Sequence, residues 1–292
     1  VLTPIKENAT RVAALLSGDM DFIAPVPPTD LERIRKQDGV HLVEMGGTRI
    51  ITFQMNQERV EAFKDKRVRQ AMAMAIDKNT LIKDIMDPIA YVAHGPMPTS
   101  NEWHNPNIKQ WPYDTDQAKA LLADAGYPNG FTFTLSIPSA GAGQIEPRSV
   151  ATFIQGNLAD VGITVNVNET EFATLYSSLI GGKADAYLYG ITYWMSEPWN
   201  QITLIHQTGQ FSNWGRYSNP EADKLMDQAD RVVGFDLRKP IYDQVEAILA
   251  EEQANIYLYH EIYAMVARSE VQGNIGFTGN YAIYMDDVWL RQ

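Results

Sequence analysis

Gly182-Lys183-Ala184-Asp185-Ala186-Tyr187-Leu188-Tyr189-Gly190 runs straight into Ile191-Thr192-Tyr193-Trp194-Met195-Ser196-Glu197-Pro198-Trp199-Asn200. The first half reads as a turn followed by a short apolar strand over 185–190. The second half is a loop crowded with aromatics, one carboxylate and a proline. Loops that leave the end of an interior strand are where α/β proteins place ligand contacts. The rest of the chain is read outward from this loop.

Upstream, Phe131 to Ile137 alternates apolar and polar residues as a strand does, Arg148 to Asp160 carries a helical period, and Ile163 to Val167 is a second strand. Strand, helix and strand in that order imply a parallel pair joined by a right-handed crossover. Phe172 to Ile180 is a helix leading into the focal strand. Downstream, Asn219-Pro220-Glu221 opens a helix with Ala222, Leu225, Met226 and Ala229 on one face. A second helix starts near Asp236, and Ala254 to Tyr259 is a final buried strand followed by a mixed aromatic tail.

Earlier in the chain, a short helix from Asn8 is stopped by Ser17-Gly18, Asp21 to Ala24 is a short strand, and Thr29-Asp30 caps a small helix. Val40 to Val43 and Arg49 to Met55 read as two strands. The clearest helix opens at Asp65. Val68, Ala71, Met72 and Ala75 fall at i, i+3, i+4 and i+7, and Met74 and Ile76 add a second apolar side, so it is expected between layers. Residues 87–113, with several prolines and no sustained period, read as a long crossing loop. Asp114 caps the next helix, with Gln117 as its capping-box partner and Gly126 as its stop.

The 292 residues suffice for about two domains and a sizeable core. A formal net charge of -12 argues against a nucleic-acid face and against adhesion to anionic lipid. With no cysteine, disulfides, thiolate nucleophiles and Cys-ligated metals are excluded. No apolar run of about 18 residues occurs. The chain opens on Val1-Leu2-Thr3-Pro4 without an initiator Met or a signal peptide, which is read as the loss of an upstream segment.

Catalytic chemistry finds no support. His41, His94, His104, His206 and His260 show no metal-ligand spacing, and no GxSxG, P-loop or GxGxxG motif is present. Neither a metal nor a cofactor is therefore expected. Asp185, just inside its strand, is assigned a structural hydrogen bond rather than a place in a carboxylate pair with Glu197. Asp223, Asp227 and Asp230 share a solvated helix face. Tyr187 and Tyr189 are read as core. Tyr193 and Trp194, beyond the strand end, offer flat faces with polar rims that stack on sugars, peptide planes or cations. Glu197-Pro198 forms a turn.

Several segments together resemble the large extracytoplasmic solute-binding proteins of ABC importers, the oligopeptide, dipeptide and nickel class known as family 5. They are Arg11 to Asp21, Asp65 to Asp77, Asp116 to Tyr127, Tyr217 to Asp223 and Val271-Gln272-Gly273, in matching order and spacing from about residue 8 onward. The resemblance implies a periplasmic-binding-protein-like α/β lobe, a mixed sheet flanked by helices, and covers only the C-terminal portion of such proteins. Residues 1–50 would end lobe I, 51–255 form the ligand-binding lobe II, and 256–292 return toward lobe I. It further implies capture of a peptide-like or other small solute and delivery to ABC permease subunits, by a monomer that is periplasmic or lipid-anchored and performs no covalent chemistry.

Two departures bear on the ligand. The position of the aspartate that pairs with a peptide α-amine in the peptide-binding members is Trp194 here. The loop Pro138 to Glu146, where dipeptide binders place an arginine for the α-carboxylate, has none. Unpaired charges in a closed cleft are costly, so a neutral oligosaccharide, or a longer peptide held through its backbone, fits better than a free dipeptide. The expected contacts are Tyr193 and Trp194 by stacking, Glu197 by accepting hydrogen bonds or orienting the loop, and Trp199 and Gln144 beside them. The rivals are a small-molecule hydrolase and a protein-interaction domain.

Overall fold

The computed structural model describes residues 1–5, 7–139, 146–192, 197–273, 275–277 and 283–291, with the backbone alone at 45–48, 276–277 and 283–284. Seven strands form the main sheet: β1 (Phe22–Ile23), β2 (Val40–Met55), β3 (Ala90–Val92), β4 (Thr132–Pro138), β5 (Thr164–Thr170), β6 (Ala186–Thr192) and β7 (Ile256–Arg268). Their order is β1-β7-β2-β6-β4-β5, with β3 also on β7. Strands β4, β5 and β6 are parallel, and β2 runs antiparallel to both β6 and β7. The parallel β4–β5 pair is the crossover unit expected from the sequence.

The two strands expected at 40–43 and 49–55 are one. Pairing with β7 runs from Val40 to Phe53 as one strand, with a register shift between Gly46 and Arg49 that carries it past the gap between the two expected strands and a second shift between Ile51 and Thr52. β7 is likewise longer than the Ala254–Tyr259 strand expected. Neighbours β2 on one side and β1 and β3 on the other extend it through residues that are polar by sequence, His260 and Glu261 among them. Within the segment 87–113, read as a crossing loop, β3 is a short strand.

The helices are α1 (Asn8–Ser17), α2 (Pro28–Arg35), α3 (Lys66–Ala75), α4 (Lys78–Leu81), α5 (Thr115–Asp124), α6 (Pro147–Ala159), α7 (Phe172–Ile180), α8 (Leu204–His206), α9 (Pro220–Ala229) and α10 (Phe235–Glu252). Several of their starts follow from side-chain caps. Asp65 accepts from Arg67 N at 2.8 Å, Asp114 from Gln117 N at 2.9 Å, Glu171 from Ala173 N at 2.8 Å, and Asn219 from Glu221 N at 2.9 Å. A π-helical turn, Trp199–Thr203, leads into α8. The tail holds two small pairs, β8 (Val271–Gln272) with β11 (Trp289–Leu290) and β9 (Gly276–Phe277) with β10 (Ile283–Tyr284).

Helix α3 is buried from Val68 to Ala75, as a helix between layers must be. It shares a core with Phe53, Phe63, Phe133 and α6, and the Phe63–Phe133 rings meet edge-on at 5.2 Å. A second core joins Ile50, Tyr257 and Trp103 to α9 and α10. The buried Arg69 donates to Phe63 O at 2.8 Å, Lys64 O at 3.0 Å, Glu252 O at 3.0 Å and Gln253 O at 3.2 Å. It thereby satisfies carbonyls at the C-terminal end of α10 that the helix itself leaves orphaned. The frame behind the β6 loop is fixed at several points. Asp185 accepts from Arg59 Nε at 2.5 Å and Thr134 N at 3.1 Å, which is the structural role expected of it.

Candidate functional site

Because β4, β5 and β6 are parallel, their C-terminal ends share one edge of the sheet, and a cavity of about 300 Å³ opens there. Concave sites at this edge are the usual ligand positions of α/β sheets. β6 supplies Tyr189 to Thr192, and the antiparallel β2 supplies Arg49 and Gln54 from beside it. Phe172 and Tyr176 come from α7, which follows β5. Asn200 comes from the π-helical turn, Leu204 and Ile205 from α8, and Ser212 and Trp214 from the segment before α9.

The walls are held by one another. Trp214 is clamped edge-on between Tyr176 (5.4 Å, 90°) and Tyr189 (5.1 Å, 89°), and Tyr176 stacks on Phe172 at 6.0 Å. Behind them Gln54 is locked, donating to Thr52 Oγ1 at 3.0 Å and accepting from Tyr187 OH at 2.6 Å. Burial pushes the Tyr189 hydroxyl up, Tyr176 adds to this, and Arg49 pulls against it, so at neutral pH it is a neutral phenol able to donate or accept. Arg49 Nε donates to Thr192 Oγ1 at 3.4 Å, and Nη1 lies 3.8 Å from the buried Glu261 carboxylate.

Of the residues expected as contacts, Tyr193, Trp194 and Gln144 lie outside the described residues. Glu197 and Trp199 are placed, half-buried, and neither lines this cavity. Glu197 lines a shallower groove with Trp103, Phe235 and Arg238, and its carboxylate forms an ion pair with Arg238. The guanidinium of Arg238 lies over the Trp103 ring at 5.4 Å and the Tyr242 ring at 5.5 Å, so Glu197 fastens the loop to α10. Tyr187 is core, as expected, whereas Tyr189 lines the cavity.

Arg49, Tyr176 and Trp214 were not singled out from the sequence. The missed signal for Arg49 was strand alternation in Arg49 to Met55: a charged residue on a strand paired on both sides needs a reason to be there. Among the described residues, no group of three or more His, Asp or Glu side chains could hold a metal. No helix among them is long and apolar enough to cross a membrane.

The family model for bacterial extracellular solute-binding proteins, family 5, middle region, matches residues 1–213. The chain belongs to that family. Among curated relatives, it is 28% identical to the heme-binding protein A of Haemophilus influenzae, over 98% of this chain and 53% of that one. It is 36% identical to the glutathione-binding protein GsiB of Pectobacterium atrosepticum, over 84% of this chain and 49% of the relative. It therefore spans about half the length of the curated relatives it matches. Of solved structures, the ABC transporter-associated periplasmic binding protein DppA of Helicobacter pylori, in complex with the peptide STSA, superposes with a TM-score of 0.87 at 25% identity. That match covers 99% of this chain and 56% of that structure. The fold is thus the periplasmic-binding-protein-like α/β architecture that the sequence motifs imply.

Proposed function

We propose that this family-5 chain supplies the ligand-holding lobe of a binding component that captures a small, peptide-like solute for an ABC importer and delivers it to the membrane permease. In this reading residues 51–255 are lobe II, and β2 and β7 are the two crossings to lobe I, where 1–50 and 256–292 belong. The work is capture and release outside the cytoplasm, without covalent chemistry. The observation that carries the reading is the aromatic-walled cavity at the shared carboxyl edge of β4, β5 and β6. The names of the relatives, which bind heme, glutathione and peptides, support a solute of that size class.

The test is mass spectrometry of small molecules released on denaturing the freshly purified chain, followed by titration of the emptied chain with what was released. A compound that co-purifies and rebinds unchanged supports the reading. A compound converted during incubation would move the protein to the hydrolases. An extract without small molecules, together with a gel-filtration complex with another protein, would support an interaction domain instead.

A further inference from the structure

The chain carries a formal net charge of -12, yet among the described residues lining the cavity the one charged side chain is a cation, Arg49. Its counter-charge, Glu261, lies outside the cavity lining, so the charge a solute meets at the wall is the guanidinium. The position of this guanidinium is built rather than incidental. Its side chain is 11% exposed, held by Thr192 at 3.4 Å and by Glu261 at 3.8 Å. It also crosses β6 at Gly190, where a Cβ would fall 2.6 Å from Arg49 Cδ. Glu261, 2% exposed, does not line the cavity, so an oxyanion entering there lies nearer the guanidinium than the buried carboxylate.

We propose that the cavity recognises a carboxylate carried on a flat or apolar body, with Arg49 taking the carboxylate and the Tyr176–Trp214–Tyr189 clamp taking the body. The proposal rests on the cavity being the solute site. A planar fork of N–H donors matches the two oxygens of a carboxylate, and a charge-assisted contact gains strength in a partly desolvated pocket. Mutually clamped rings present their surface without losing rotamer freedom on binding. The charge anchor absent from the loop 138–146 is thereby supplied from a different element, β2.

The probe pair is N-acetylphenylalanine and its carboxamide, followed by ligand-observed NMR with the intact chain. The acid is expected to bind at least about tenfold more tightly than the amide. In Arg49→Gln/Glu261→Gln, where the second change avoids stranding a buried carboxylate, the ratio falls to about one while the amide binds as before. Gly190→Ala, which displaces Arg49 without removing any charge, lowers the ratio in the same direction and serves if the double variant does not fold. Equal binding of acid and amide to the unmodified chain, or a ratio unchanged in both variants, would overturn the carboxylate assignment and leave the solute reading standing. Failure of both probes to bind at their solubility limit would overturn the cavity as a ligand site, and the proposal with it.

Discussion

The Tyr257 hydroxyl lies 3.0 Å from Nε2 of His206, and the two are buried together. The carbonyl of Ile202, 2.9 Å from Nδ1, can only accept, so the proton sits on Nδ1 and Nε2 accepts from Tyr257 and from Asn255 Nδ2, also at 3.0 Å. This ring ties the turn after the aromatic loop to β7. Burial pushes His206 down to about 4, with the Ile202 carbonyl pulling the other way. A histidine held neutral by the fold contributes stability that is present above its unfolded pKa, near 6.5. That stability is lost as pH falls toward 4.

His206→Gln is therefore expected to be less stable than the parent at pH 7, by about 1–3 kcal/mol, because buried donors lose their acceptor. It should also lose less than the parent between pH 6.5 and 4. Urea midpoints at both pH values measure this. Equal acid sensitivity in the two proteins would mean that the burden lies elsewhere. His94 and His260, which burial also pushes down, to about 4 and about 3, titrate in the same window and are the first alternatives.

Glu246 on α10 works in the opposite direction. It is fully buried, neither carboxylate oxygen makes a well-formed hydrogen bond among the described residues, the Asn105 amide being only near enough to exert a pull, and Oε2 would lie 3.6 Å from a Cβ at Gly95. Burial pushes its carboxyl up to about 8, against the pull of the Asn105 backbone amide and Lys239. The folded state holds a proton that the unfolded chain releases above about 4.5, so this stability is full below that pH and lost as pH rises through 8. Glu246→Gln should match the parent at pH 5 and melt higher at pH 9, the difference reaching about 2 kcal/mol or more. A variant that is no more stable at pH 9 would show that the carboxyl ionises at little cost. The His206 slope, below about 6.5, and the Glu246 slope, above about 4.5, oppose each other where they overlap, so of these two groups only Glu246 lowers stability as pH rises from about 6.5 to 8.

What could be read from the chain and what could not divide along a physical line. Helix α3 was legible because Val68, Ala71, Met72 and Ala75 repeat with the helical period, and the parallel crossover because strand, helix and strand follow within 131–167. Arg69 and Gln70, on the same helix, are equally buried, which no periodicity shows. Their reason is the C-terminal end of α10, some 180 residues away in sequence, whose carbonyls Arg69 and Gln70 satisfy. Arg49 escaped notice for the same cause: its partners Thr192 and Glu261 come from two other strands. Local pattern reports burial of apolar residues, whereas buried charges are explained only by partners that tertiary structure brings up. The aromatic loop was found from its composition, but the walls of the cavity, Tyr176 and Trp214, stand on either side of it in sequence.

Arg69 gives the third test. Burial pushes its guanidinium down, with Glu252 opposing, yet four backbone carbonyls hold it in place. Arg69→Met fills similar volume and leaves those acceptors without a donor, so a loss of about 3–5 kcal/mol is expected. Arg69→Lys, a point charge on a flexible stem, should recover only part of it. Chemical denaturation measures both, and a methionine variant within 1 kcal/mol of the parent, on the scale of an ordinary surface change, would show that water replaces the lost donors.

Glu197 separates two roles that its place in the loop allows. As the ion-pair partner of Arg238 it anchors the loop to α10; as a ligand contact it would act on the solute itself. The pair is half-exposed on the glutamate side, so Glu197→Gln should cost no more than about 1 kcal/mol of stability. A double-mutant cycle with Arg238→Gln, read on the affinity for the co-purified solute, distinguishes the roles. If Glu197 acts by holding the loop, either single change weakens binding and the double change weakens it no further, because each breaks the same anchor. If it touches the solute, its effect persists in full on the Arg238→Gln background. The ion pair and the absence of Glu197 from the β6 cavity lead us to expect the first outcome.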